Sequence, residues 1–97
     1  MKKKNELQNI IKVEVIKRNG YTSRFKTVEV RIGNIDYAGS GYIHLDGNPL
    51  VGYFEGPNSN ITSNFIVDPA ASGRYVTIQA IQSTYLDIDE ILVCSSL

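Results

Sequence analysis

The chain has little sulfur to work with: its 97 residues hold one cysteine, Cys94, and one methionine. A lone cysteine makes no internal disulfide, so the crosslink that braces many small secreted domains is excluded within one copy. Tryptophan is absent, and there is a single histidine, His44. Zinc sites of the His/Cys type need several such ligands, and that count excludes them. A Cys-His couple would have to form around the one imidazole by accident of folding, and no serine stands in the sharp turn that exposes a nucleophile. No apolar run approaches the length of a membrane-crossing helix. The charged start, Met1 to Gln8, also lacks the apolar stretch of a signal peptide. Internal repeats and low-complexity tracts are missing as well.

What remains is an ordinary globular composition, 42% hydrophobic and 21% charged, which separates the chain from sequences that stay disordered. The length suits one domain, and a domain this small leans on a crosslink or a partner because it buries a limited share of its surface. Charge sums to zero but is uneven. Residues 1 to 26 carry eight Lys/Arg and two Glu, whereas residues 27 to 97 carry two Arg and eight Asp/Glu. Residues 1–8 read as a basic, solvated tail and residues 9–97 as the domain. No basic patch with interleaved aromatics follows the tail, so nucleic acid is not an expected partner.

The dominant period is two. Ile11, Val13 and Val15 alternate with Lys12 and Glu14, and Val28-Glu29-Val30-Arg31-Ile32 repeats the beat. Leu7, Ile10, Ile11 and Val15 also fit a helical stripe, but the β-branched content favours a strand. Further strands are expected at Tyr75 to Ile81 and Tyr85 to Val93. Shorter ones are expected at Tyr42 to Leu45, Leu50 to Glu55 and Thr62 to Val67. In the run from Tyr85, Leu86 and Ile88 share one face while Ile91 and Val93 share the other, which predicts a β-bulge near Asp89-Glu90. Turn-rich pieces, Asp46-Gly47-Asn48-Pro49 and Gly56-Pro57-Asn58-Ser59-Asn60, separate these runs. Short strands punctuated this way predict an all-β sandwich or barrel.

Candidate chemistry is sparse. His44 sits in a short strand among apolar neighbours and reads as structural or surface. Asp87 and Asp89 point to one face of a regular strand and Glu90 to the other. Two carboxylates there suit a hard cation, or simply a solvated outer face. Neighbours on one strand are not the cross-cleft carboxylate pair of glycoside hydrolysis, and no other acid-base pair is offered, so no enzyme is expected. The remaining cluster is Arg18-Asn19-Gly20-Tyr21-Thr22-Ser23-Arg24, two guanidiniums six residues apart with an aromatic between them. Guanidinium forks suit vicinal hydroxyls or carboxylates, and a tyrosine face stacks on a sugar; a hairpin with two exposed arginines is the plainer reading.

Three segments occur in order: Val28-Glu29-Val30-Arg31-Ile32-Gly33-Asn34, Gly73-Arg74-Tyr75-Val76-Thr77-Ile78-Gln79 and Leu86-Asp87-Ile88-Asp89-Glu90-Ile91-Leu92-Val93. In that order and approximate spacing the chain resembles the F-type lectins, fucose-binding domains of discoidin-like fold, over residues 10 to 94. The resemblance implies a discoidin-like jelly-roll β-sandwich, shortened at the N-terminus. It also implies a carbohydrate-binding module for fucose-type sugars. In that family two arginines before the first of these motifs contact fucose, with an aspartate and a cysteine pair between them. Arg18 and Arg24 fall at those arginines, whereas Asn19 and Tyr21 stand where the aspartate and cysteines would be. The spacing is one residue short.

The family's sugar-binding histidine and most of its calcium site come from a segment before the one matched here, and His44 is not that histidine. Of the calcium ligands only Glu90 has a counterpart, so the resemblance implies an incomplete calcium site and no certain cofactor. Val51 and Val67 fall where the family has a disulfide, and Asp89 replaces a half-cystine. A sandwich lacking its first strands leaves edges open, which motivates a homo-oligomer or a structural subunit completed by partner chains. The resemblance and the sequon Asn60-Ile61-Thr62 suit an extracellular protein. The single cysteine suits a reducing compartment or a protein stabilised by association.

Overall fold

The structure is a computed structural model that describes residues 2–36, 47–82 and 86–96, with side chains from Leu7 onward. It is all-β. Among the described residues five strands follow one another: β1 (Lys2–Lys17), β2 (Val28–Gly33), β3 (Leu50–Phe54), β4 (Thr62–Ala80) and β5 (Ile88–Ser95). A single turn of 3-10 helix, Thr22–Arg24, interrupts the connection between β1 and β2. The strands pair antiparallel in the order β3-β2-β4-β1-β5. The expected strand at Tyr42 to Leu45, with His44, lies outside the described residues, as do Asp46 and Tyr85.

Two sequence expectations change. The Lys-rich start, read as a tail, is strand backbone, with Lys2 to Lys4 opposite Thr77 to Tyr75. The separate strands expected at Thr62 to Val67 and Tyr75 to Ile81 are one strand, because residues 67–70 are accommodated as an offset rather than a break. Ile10 pairs with Ala71 and Lys12 with Ile66, so four residues of β4 face one residue of β1 at that point. Asp68 and Pro69 fall inside the offset, joined by a cis peptide bond. Proline has no N–H for a ladder, and an unpaired excursion is where a sheet tolerates it.

The offset gives β4 two sets of partners. Its first part, residues 62–66, pairs with the second half of β1, whose other side holds β5. Its last part, residues 75–80, pairs with β2, which in turn holds β3. The sheet folds over into a sandwich whose two layers share one core. Gly52 of β3 sits against the Phe65 ring of β4, where an added Cβ would lie 3.0 Å from Cδ1. Between the layers lie Val13 and Val15 of β1, Val28, Val30 and Ile32 of β2, Phe65, Val67, Val76 and Ile78 of β4, and Ile91 of β5. Burial of each such side chain is worth about 1.5–3 kcal/mol relative to exposure. Val51, expected opposite Val67, packs against the same cluster.

The bulge expected near Asp89-Glu90 is present. Ile16 pairs with Glu90 but Lys17 with Ile88, which leaves Asp89 as the extra residue. That single insertion resets the phase of β5. It lets Leu86 and Ile88 on one side of the bulge and Ile91 and Val93 on the other all pack toward one core.

Close approach fixes two glycines. A Cβ on Gly73 would lie 2.9 Å from the backbone N and O of Gly33, and one on Gly33 would lie 2.2 Å from Asn48 Oδ1. Asn48 is buried: its Oδ1 accepts from Ile35 N–H at 3.0 Å, and its Nδ2 donates to Ile35 O at 3.1 Å. The carboxamide thereby acts as a short piece of ladder that ties Asn48 to the Ile35 backbone. On the outer face, Arg31 forks onto Glu29 at 3.1 and 3.3 Å and donates to Asn48 O at 2.9 Å, while Gln79 Nε2 donates to Glu29 Oε1 at 2.9 Å.

Candidate ligand-binding site

Backbone hydrogen bonds gather three connections at one end of the sandwich. Arg18 N donates to Asp87 O at 3.2 Å, Thr27 N to Glu55 O at 2.9 Å, and Lys17 N to Ile61 O at 2.7 Å. The β1–β2 loop, the β3–β4 loop and the approach to β5 therefore meet there. The β1–β2 loop carries the two arginines singled out in the sequence.

Its shape follows from local chemistry. Tyr21 N donates to Arg18 O at 3.1 Å across Asn19-Gly20, and Gly20 has φ +86°, the value a type II turn requires at its third position. Glycine takes that φ without a Cβ penalty. The chain then enters the 3-10 turn, with Arg24 N donating to Tyr21 O at 3.1 Å and Phe25 N to Thr22 O at 3.1 Å. Phe25 is buried and pins the far end of the loop to the core. Two successive tight turns hold Arg18 and Arg24 on either side of Tyr21.

Both guanidiniums lie over the Tyr21 ring, with Cζ 4.4 Å from its centroid for Arg18 and 4.7 Å for Arg24. Both also reach Asp87: Arg24 Nη1 stands 3.1 Å from Oδ2 and Arg18 Nη1 3.9 Å from Oδ1. The carboxylate comes from a different part of the chain than the loop, and the Arg18 N–H bond to the Asp87 carbonyl fixes its place. The arginine side chains remain about half exposed, at 56% and 47%, whereas that of Asp87 is 19% exposed. Both guanidiniums therefore stay partly open to solvent beside a more sheltered carboxylate.

The Tyr21 ring lies beneath both guanidiniums and so holds them side by side. Asn19 is exposed in the turn. Glu90 is exposed on β5, and among the described residues no group of three His, Cys, Asp or Glu side chains gathers to hold a metal. Within the acidic trio, Asp87 turns to the arginines while Asp89 and Glu90 stay in solvent. The sequence offers Asp87 as half of a carboxylate pair for a hard cation or as part of a solvated face; its backbone partner Arg18 lies 69 positions earlier and no local pattern joins them.

One residue escaped the sequence reading altogether. Lys17, next to Arg18, is 1% exposed. Its Nζ lies 4.8 Å from the centroid of the Phe25 ring and 5.1 Å from that of Phe54, and it donates to Asn58 Oδ1 at 3.0 Å. Burial holds the Lys17 amine below the ordinary lysine pKa. The signal was present in the beat of two: Lys17 shares parity with the buried Val13 and Val15.

Two shallow clefts flank Asn58. One, of about 300 Å³, is lined by Thr22, Ser23, Pro57, Asn58 and Ser59, and so borders the arginine loop. The other, of about 260 Å³, runs from Tyr53 and Phe54 to Asn64 and Phe65. At its mouth the Tyr53 hydroxyl donates to Glu55 Oε2 at 2.5 Å, and that bond first, with burial and the charges of Glu55 and Glu29, raises the phenol above its usual pKa. Compared with protein-family models, curated proteins and solved structures, the chain matches none.

Proposed function

We propose that this domain is a carbohydrate-binding module of the F-type-lectin kind, with a discoidin-like jelly-roll frame and a site made by Arg18, Arg24, Tyr21 and Asp87. The observation that carries the reading is the convergence of two half-exposed guanidiniums on one carboxylate at the loop end of the sandwich. An Arg-Asp cluster offers donors and acceptors side by side, which is the pattern vicinal hydroxyls pair with. The aspartate that the resemblance places between the arginines is absent from the loop, and Asp87 supplies a carboxylate at the same guanidiniums from elsewhere in the chain. A fucose-type sugar is the first ligand to test. On a glycan array the wild-type chain is expected to bind, and Arg24→Ala to abolish the signal. No binding by wild type removes this reading.

A second reading, an interaction subunit without sugar binding, draws on the sheet edges. Leu50 and Tyr53 of the terminal strand β3 are 50% and 47% exposed. Exposed apolar side chains on an edge strand favour pairing with another chain. Light scattering separates the two: an oligomer at micromolar concentration with a blank array supports the subunit, whereas a sugar-binding monomer removes it.

A further inference from the structure

We propose that the cleft beside the arginine loop is a second saccharide subsite, and that buried Lys17 sets the Asn58 carboxamide to donate into it. The inference rests on the carbohydrate reading and extends it from one sugar unit to two.

The orientation of Asn58 is fixed by its partners. Its Oδ1 accepts from Lys17 Nζ at 3.0 Å and from Asn60 N–H at 3.0 Å. Both partners are donors only, so the oxygen, not the nitrogen, must face them. Nδ2 is thereby turned away from Lys17, with two N–H donors that have no protein partner among the described residues. Asn58 is exposed and lines the cleft.

An exposed asparagine in a loop ordinarily samples several rotamers. Here an ammonium that cannot reach bulk water holds one of them. Lys17 has two phenylalanine rings around it and Asn58 as its polar partner, so releasing the carboxamide would leave a buried charge unsolvated. The donor is thus preorganised, which spares a ligand the ordering cost.

The rest of the cleft suits a sugar ring. Thr22, Ser23 and Ser59 offer hydroxyls, and Pro57 an apolar ring edge for a C–H face. Thr22 and Ser23, which line the cleft, lie between Tyr21 and Arg24 in the arginine loop, so the cleft and the arginines share one loop. The ligand class is an oligosaccharide whose first unit lies on the arginines and whose second offers an acceptor to Asn58.

The test uses the full chain and two probes, methyl fucoside and a fucosyl-galactose disaccharide, titrated by calorimetry. Wild type is expected to bind the disaccharide about tenfold more tightly, the scale of one well-placed hydrogen bond. Asn58→Asp keeps an acceptor for Lys17 and Asn60 but loses the donor, and should erase the gain while leaving methyl fucoside affinity unchanged. Lys17→Met should do the same, and the Asn58 side-chain amide signal should shift in wild type with the disaccharide alone. A tenfold gain that survives Asn58→Asp overturns the subsite, and one that survives Lys17→Met overturns the role of the lysine. Binding of methyl fucoside with no disaccharide gain sinks the subsite and spares the carbohydrate reading; no binding of either probe sinks both.

Discussion

Lys17 and Arg18 are neighbours in sequence, and both place a cation over aromatic rings, yet the two settings are opposites. Lys17 points inward, with Phe25 and Phe54 around it and an amide oxygen as its polar partner. Arg18 points outward, over Tyr21 and toward a carboxylate that it shares with Arg24. The strand's alternation alone makes the difference, since successive side chains leave opposite faces. The inner cation is held by exclusion of water and has one geometry. The outer pair is held by charges that solvent and ligands compete for, and it can exchange partners. The inner cluster thus forms a fixed support beneath a solvated one.

The most damaging way to break the comparison is to remove the ring the inner cluster rests on. Phe25 is 1% exposed and also ends the arginine loop, so Phe25→Ala should cost about 3–5 kcal/mol in denaturant titration. Gly73→Ala is next. With backbone atoms of Gly33 2.9 Å from the new Cβ, β2 and β4 must separate locally, and a loss of about 2–3 kcal/mol is expected in the same measurement.

Lys17→Met inverts the usual sign. Removing a buried ammonium in favour of an apolar chain of similar length should raise stability at neutral pH by about 1–2 kcal/mol. The pH dependence carries the diagnosis. Because the folded-state pKa of Lys17 lies below its unfolded value, the folded state gives up its proton first. Wild-type stability should therefore rise with pH from the folded pKa up to the unfolded value near ~10.4, and the penalty is fully present below that window. Lys17→Met should lose this alkaline rise. An unchanged alkaline limb would show that another group causes it.

The outer cluster should respond far less. Asp87→Asn is expected to cost only about 0.5–1 kcal/mol, because the pairs it breaks are largely solvated. That cost should shrink in ~1 M salt, where screening acts over about 3 Å. A loss as large as that of Phe25→Ala would mean that the two clusters are one structural unit.

The sequence made the strands legible wherever alternation was clean. Val28 to Ile32 reads directly onto β2, and the phase change between Ile88 and Ile91 locates the bulge at Asp89. It did not show that residues 62–67 and 75–80 are one strand, because Asp68-Pro69 looks like an ending and only the pairing of β1 across the offset reveals continuity. The arginine loop was legible as a cluster because its members are close in sequence. Asp87 was legible as a carboxylate but not as the arginines' partner, a relation that exists only once β1 and β5 are paired. Lys17 was readable in principle. The expectation that lysine faces water overrode its parity with Val13 and Val15.

The strand order has a kinetic consequence. β1 has β4 and β5 as its ladder neighbours, and the nearest of these contacts joins Ile16 to Thr62. No hairpin can form between β1 and the strand that follows it, so the first strand waits for a loop of more than forty residues to close. Chains dominated by such distant pairings fold slowly and spend longer with unpaired strands. Once β4 is seated it belongs to both layers, and neither layer can open without disturbing the other. Amide protons of Val13 and Val30, one in each layer, should therefore exchange with the same protection, as parts of one cooperative unit.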